Sequence, residues 1–154
     1  MKKYFLPFLT AMAAVVLVAC SKSDEDDTFY GVKAELDGVE WEVKQGEADV
    51  NSFVWGEDIS VYALNEDNEG FYIWLEETTI PGTYDLPNSE VLVIYVKESM
   101  ALDSYDFVSG TMTIKKFEHT DGIHFKATFN GVASHNFTDV DDIVITDGEM
   151  EVKF

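Results

Sequence analysis

The strongest constraint on this fold is an alternation of apolar and polar residues with a period of two. Every second side chain is apolar in residues 30–36, and the alternation resumes in residues 39–44. This period places alternate side chains on opposite faces of a strand, so each segment predicts a strand with one buried face. Asp37 and Gly38 separate the segments and form the dipeptide favoured in two-residue hairpin turns. The sequence therefore predicts a β-hairpin here.

Further strands are predicted along the rest of the chain, and no window of ten or more residues has the period of an amphipathic helix. Residues 71–75 and 91–96 are apolar at nearly every position, which predicts central strands covered on both faces. The fold class predicted is all-β, an antiparallel β-sandwich or flattened barrel of about nine to eleven strands in meander or Greek-key order. The remaining predicted strands are 50–55, 59–64, 83–86, 111–117, 123–129, 143–146 and 150–154.

Turn-forming residues predict the connections. Residues 98–109 lack clear alternation and are expected to form a long loop, with a short helix inside it as the alternative. Residues 120–122 are expected to join two paired strands, residues 130–131 to form a tight turn, and residues 147–148 to separate the last two strands. Because the alternation continues to Phe154, the end strand is expected to be paired within the sheet.

The N-terminus has the layout of a secretory signal peptide, with two lysines before an uncharged run at residues 4–19. This run is shorter than the roughly 20 residues that a membrane-spanning helix needs. It ends in the Leu-Val-Ala-Cys of residues 17–20, which resembles the lipobox of bacterial lipoproteins. We therefore expect a signal peptide over residues 1–19 and lipidation of Cys20, the only cysteine. The alternative is an ordinary signal peptide with an incidental cysteine.

The polar and acidic residues 20–28 predict an extended tether, and residues 29–154 a single all-β domain. The acidic run resembles the export signals of surface lipoproteins in some Gram-negative bacteria. The expected location is the outer membrane, lipid-anchored and exposed at the cell surface, with a periplasm-facing domain as the alternative.

The charge of the chain restricts its partners. The full chain has 10 Lys and no Arg against 30 acidic residues, and loss of Lys2 and Lys3 with the leader gives 8 − 30 = −22. Nucleic-acid binding requires a cationic surface that displaces counterions from phosphates. We therefore expect no nucleic-acid partner.

Four segments together resemble a family of small uncharacterised Gram-negative bacterial lipoproteins with an all-β domain of unknown function. They are residues 34–41, 81–84, 109–114 and 145–150. Where such families usually have Phe in a final Gly-x-Phe, this chain has Met150, a core residue of similar volume. The resemblance implies an all-β lipoprotein domain and carries no functional residues.

Two kinds of residue are candidates for a site. Trp55, Tyr72 and Trp74 are candidate ligand-binding residues, because aromatic rings stack on the apolar faces of sugars, with core packing as the alternative. Weaker candidates for Ca²⁺ are oxygen ligands in two acidic loops, although neither loop matches the EF-hand pattern. These are Asp67, Asn68, Asp139, Asp141 and Asp142.

No catalytic residues and no cofactor other than a Ca²⁺ ion are predicted, since neither a serine-hydrolase elbow nor a phosphate-binding glycine motif is present. The spacing of His119, His124 and His135 does not indicate a shared metal site. We expect a non-catalytic domain that binds an unknown glycan or protein. The alternatives are a secreted hydrolase using carboxylates or histidines, and a structural envelope component.

Overall fold

The computed structural model describes residues 30–46, 49–98, 103–137 and 140–154, without the side chain of Trp55. These residues form ten β-strands and contain no helix long and apolar enough to cross a membrane. The predicted signal peptide, Cys20 and the tether lie outside the described residues. The strands are β1 (Gly31–Leu36), β2 (Val39–Lys44), β3 (Asp49–Trp55), β4 (Asp58–Leu64), β5 (Gly70–Glu76), β6 (Gly82–Leu86), β7 (Val91–Val96), β8 (Ser104–Glu118), β9 (His124–His135) and β10 (Ile143–Lys153).

All ten strands belong to one antiparallel sheet, in the order β2-β1-β10-β9-β8-β7-β5-β4-β3, with β6 paired to β8 beside the end of β7. The N-terminal hairpin therefore pairs with the C-terminal strand, and the other strands except β6 follow one another as a meander, with β5 paired directly to β7. The sheet is nearly closed into a barrel. The all-β prediction and the predicted number of strands are confirmed.

The chain connectivity explains why the sheet curls. Its two edges, β2 and β3, are consecutive in sequence, and only residues 45–48 separate them. Five Cα steps reach at most about 19 Å, whereas the edges of a flat nine-strand sheet would lie roughly 38 Å apart. The edges must therefore approach each other. Consistent with this closure, Trp41 on β2 packs edge-on against Phe71 on β5, with 5.5 Å between ring centroids.

Phe71 lies at the centre of the barrel interior and is fully buried. Its ring also contacts Tyr95 and Phe129, at centroid distances of 5.3 and 4.9 Å. Because alternate side chains along each strand point inward, the surrounding core consists mainly of aliphatic residues from every second position. The outward-facing positions between them remain available for a surface site.

The N-terminal hairpin is confirmed. β1 pairs with β2 in the predicted register, and Asp37 and Gly38 have φ values of 51° and 79°. Two successive positive φ values are what a type I′ turn requires.

The central position predicted for residues 71–75 and 91–96 is confirmed, since β5 lies between β4 and β7, and β7 between β5 and β8. The expected cover on both faces was wrong, because the inward-facing side chains are buried whereas outward-facing positions, such as Tyr72 and Ile94, are partly exposed.

Two predicted connections in the middle of the chain were wrong. Residues 104–109, expected to lie in a loop, form the start of the fifteen-residue β8, while residues 99–102 lie outside the described residues. Residues 130–131, expected to form a turn, lie inside β9. Gly131 pairs directly with Gly110 of β8, and a Cβ added to Gly131 would lie 2.2 Å from the Ser109 carbonyl oxygen. These glycines allow close backbone approach rather than a chain reversal.

The predicted break at residues 147–148 was also wrong, because β10 is continuous from Ile143 to Lys153. Its pairing with β9 shifts register between Ile145 and Gly148, and Asp147 has a φ of 50°. Some β-bulges and many hairpin turns use a residue with positive φ, so the local signal is the same for both. The end of β10 is paired on both sides, as predicted.

Candidate binding surface

Four aromatic residues lie on the outer face of the barrel, on three adjacent strands. Ser60 on β4 pairs with Phe53 on one side and with Trp74 on the other, and Tyr62 pairs with Tyr72. Paired residues share a face of the sheet, and these positions alternate with the buried core residues. We call Phe53, Tyr62, Tyr72 and Trp74 the aromatic face.

The rings of the aromatic face pack beside one another and remain partly accessible. Tyr62 and Tyr72 stack with their centroids 5.0 Å apart and their planes at 19°, and Phe53 lies 6.3 Å from Tyr62. Phe53 is 39% exposed, while the other three residues are partly buried. Packing against neighbours fixes the rings, so little side-chain entropy is lost when a ligand binds them.

An open concavity of about 570 Å³ lies at one end of the aromatic face, beside the β3–β4 turn. Phe53 and Trp74 provide its aromatic walls, and Ser60, Glu57 and Asp58 provide its polar groups. The volume falls within the range of about 300–1,000 Å³ typical of small-molecule sites. The Trp74 Nε1 atom is buried and has no hydrogen-bond partner among the described residues, a state that costs roughly 1–3 kcal/mol.

The electrostatic environment of the aromatic face is negative. The four strands β3, β4, β5 and β7 contain no lysine. Burial, followed by the charge of Asp49, raises the pKa of the Tyr62 phenol above its ordinary value. Burial also raises the pKa of Tyr72, with smaller contributions from Tyr62 and Asp49. Both phenols therefore stay neutral at physiological pH and can act as hydrogen-bond donors.

No family model, curated protein or solved structure matches this chain. The geometry of the aromatic face is therefore the main guide to function.

The structure brings together two of the three aromatic residues predicted from the sequence. Tyr72 and Trp74 lie on one face of β5, whereas the Trp55 side chain lies outside the described part of the chain, although its backbone pairs with Asp58. Sequence reasoning missed Phe53 and Tyr62. Tyr62 lies between two apolar residues of a predicted strand, and Phe53 lies between Ser52 and Val54. Only the register between strands shows that both join Tyr72 and Trp74.

The Ca²⁺ candidates lie in two different connections. Asp67 and Asn68 belong to the β4–β5 loop, where the Asn65 side-chain oxygen accepts hydrogen bonds from the backbone N–H groups of Asp67 and Glu69 at 3.0 and 2.9 Å. The carboxylate of Glu69 accepts hydrogen bonds from Asn65 and Tyr95. Side-chain hydrogen bonds within the protein thus already hold this loop in shape.

The second acidic segment precedes β10. Asp142 accepts a hydrogen bond from Ser134, Asp141 is exposed, and Asp139 lies outside the described residues. In residues 30–46, 49–98, 103–137 and 140–154, no three His, Cys, Asp or Glu side chains are arranged to hold a metal ion. Ca²⁺ binding stays a prediction from sequence.

The histidines lie in separate places. His119 packs on Phe117 at a centroid distance of 5.0 Å. His124 lies 3.2 Å from the buried carboxylate of Glu151, which also accepts a hydrogen bond from Lys126. His135, at the other end of β9, lies 3.3 Å from Asp103.

Proposed function

We propose that this protein is a lipid-anchored lipoprotein of the outer membrane, exposed at the cell surface, whose β-domain binds a glycan without catalysing a reaction. The supporting observation is the aromatic face with its adjoining concavity. Tyrosine and tryptophan rings offer apolar surfaces for the C–H faces of sugars, while neighbouring oxygen atoms accept hydrogen bonds from sugar hydroxyls.

The anchor is supported by the sequence. The lipobox-like residues 17–20 follow a leader with the layout of a signal peptide, and residues 20–28 supply a polar tether. Burial of acyl chains contributes about 0.8 kcal/mol per CH₂, so the two or more chains of a modified cysteine give lasting attachment. The resemblance to small Gram-negative lipoproteins supports the same proposal.

The shape of the concavity favours binding over chemistry. It is open on the outer surface of the barrel rather than enclosed. Active sites generally exclude water when they close around a substrate, which strengthens their electrostatic interactions. An open surface with aromatic walls is instead suited to reversible contact with a polymer.

The binding proposal can be tested with the mature protein, purified in detergent from cells that express the full chain. We expect it to bind members of a glycan array, and titration calorimetry should show that Phe53→Ala and Tyr72→Ala each weaken binding about tenfold, equivalent to about 1.4 kcal/mol. Phe137→Ala is the matched control, because Phe137 is 68% exposed but lies after β9.

The variants should keep the wild-type melting temperature to within a few degrees, which would separate loss of binding from loss of folding. Equal affinity in the wild type and both aromatic-face variants would refute this site. Turnover of a bound glycan would refute the non-catalytic assignment.

The anchor is tested separately by Cys20→Ala. The wild type should sediment with membranes and carry acyl chains detectable by mass spectrometry, whereas the variant should carry none. Protease treatment of intact cells should degrade the wild-type domain if it faces outward. Protection of the domain until the outer membrane is opened would place it on the periplasmic side.

A further inference from the structure

The acidic groups around the aromatic face indicate which glycans it binds. Glu57 and Asp58 line the same concavity as the Phe53 and Trp74 rings. Asp58 is also directly paired across the sheet with Glu76. Like charges in directly opposite positions of a sheet repel each other and destabilise the pairing. A positive charge in the concavity would relieve this repulsion.

We infer that the concavity beside Trp74 binds the protonated amine of an unacetylated amino sugar, so that cationic glycans are preferred over neutral and anionic ones. This inference rests on the proposed glycan-binding function and names the class of sugar. Carboxylates and the faces of aromatic rings both attract ammonium ions in proteins. Here both kinds of group line the same concavity.

The negative charge of the whole chain also favours cationic glycans. A formal net charge of −20 repels sulfated, phosphorylated or uronic-acid glycans and raises the local concentration of cationic ones. The general field does not identify a site, however. The experiment must therefore separate an amine held in the concavity from diffuse attraction to an acidic protein.

The test compares β-1,4-linked tetramers of glucosamine, N-acetylglucosamine and glucose by titration calorimetry with the mature protein in detergent. At low ionic strength we expect the glucosamine tetramer to bind about tenfold more tightly than the neutral tetramers. In about 1 M salt, where the Debye length falls to roughly 3 Å, diffuse attraction is screened, and the part of the preference that comes from an amine in contact with the concavity should remain.

The double variant Glu57→Gln, Asp58→Asn should lose the preference for glucosamine, so that it binds the glucosamine and glucose tetramers with equal affinity. Its control is the double variant Asp85→Asn, Asp121→Asn, which removes the same charge at positions outside the concavity. The control should keep the preference.

The outcomes separate the two proposals. Equal binding of all three tetramers would overturn the amine inference and leave glycan binding in place. An equal loss of preference in both double variants would show diffuse attraction only and would overturn the amine site. Absence of binding to any tetramer, together with a negative glycan array, would refute the proposed function itself.

Discussion

Replacement of the buried carboxylate of Glu151 tests the electrostatics of the sheet. The Glu151 side chain is only 8% exposed and lies between Lys126 and His124 on the neighbouring strand. Burial opposes ionisation of Glu151, but the hydrogen bonds from Lys126 and His124 outweigh it and lower its pKa below the ordinary value. The hydrogen bond that Lys126 donates to Glu151 correspondingly raises the pKa of Lys126.

Glu151→Gln keeps the volume and removes the charge. A hydrogen bond to a charged group contributes about 1.5–3 kcal/mol and a neutral one about 0.5–1.5. The Lys126 side chain is 34% exposed, so water compensates for part of the loss. We therefore expect the free energy of unfolding to fall by about 1–2 kcal/mol near neutral pH.

The sign of the pH dependence follows from the lowered pKa. Stability from Glu151 is fully present above the unfolded-state pKa of about 4.3 and is lost as the pH falls through the lower folded-state pKa. The difference between wild type and Glu151→Gln should therefore shrink as the pH is lowered below about 4.3.

Urea unfolding followed by tryptophan fluorescence measures both the free energy of unfolding and its dependence on pH. The matched control is Glu149→Gln on the same strand. Glu149 is paired with Lys33 in a more exposed ion pair, 3.1 Å long, that should contribute less than about 0.5 kcal/mol. Equal unfolding free energies for the two variants, or a Glu151→Gln effect that stays constant down to about pH 3, would contradict the reasoning.

Three further predictions concern the fold. Gly131→Ala should lower the unfolding free energy by about 2–4 kcal/mol, because the added Cβ would meet backbone atoms of β8. The control Gly82→Ala, whose Cβ would have no atom closer than 3.8 Å, should change it by less than about 1 kcal/mol. Equal urea midpoints for the two variants would refute this. Deletion of residues 150–154 should abolish cooperative thermal unfolding because it removes paired, buried positions of β10, and a wild-type melting curve would contradict it. Tyr95→Phe should lower the free energy of unfolding in urea by about 1–2 kcal/mol, since it leaves the Glu69 carboxylate without its phenol donor. An unchanged urea midpoint would show that this hydrogen bond contributes nothing.

The sequence alone determined the fold class and several local features. The period of two predicted strands, and Asp37 with Gly38 predicted the first hairpin, because both signals arise from neighbouring residues. The same period placed Tyr72 and Trp74 on one face of β5. These predictions succeed because side-chain direction along a strand and turn geometry depend only on local backbone conformation.

Only the tertiary structure decided which strands pair and in what register. That register brings Phe53 and Tyr62 beside Tyr72 and Trp74. Long-range pairing likewise turned the predicted breaks at residues 130–131 and 147–148 into positions inside continuous strands. At residues 147–148, aspartate at a positive φ suits a turn and a bulge equally well, and at residues 130–131 glycine suits a turn and a close approach of two strands equally well. The choice depends on the strand that lies alongside. The candidate site is made of contacts between strands, so a single strand cannot specify it.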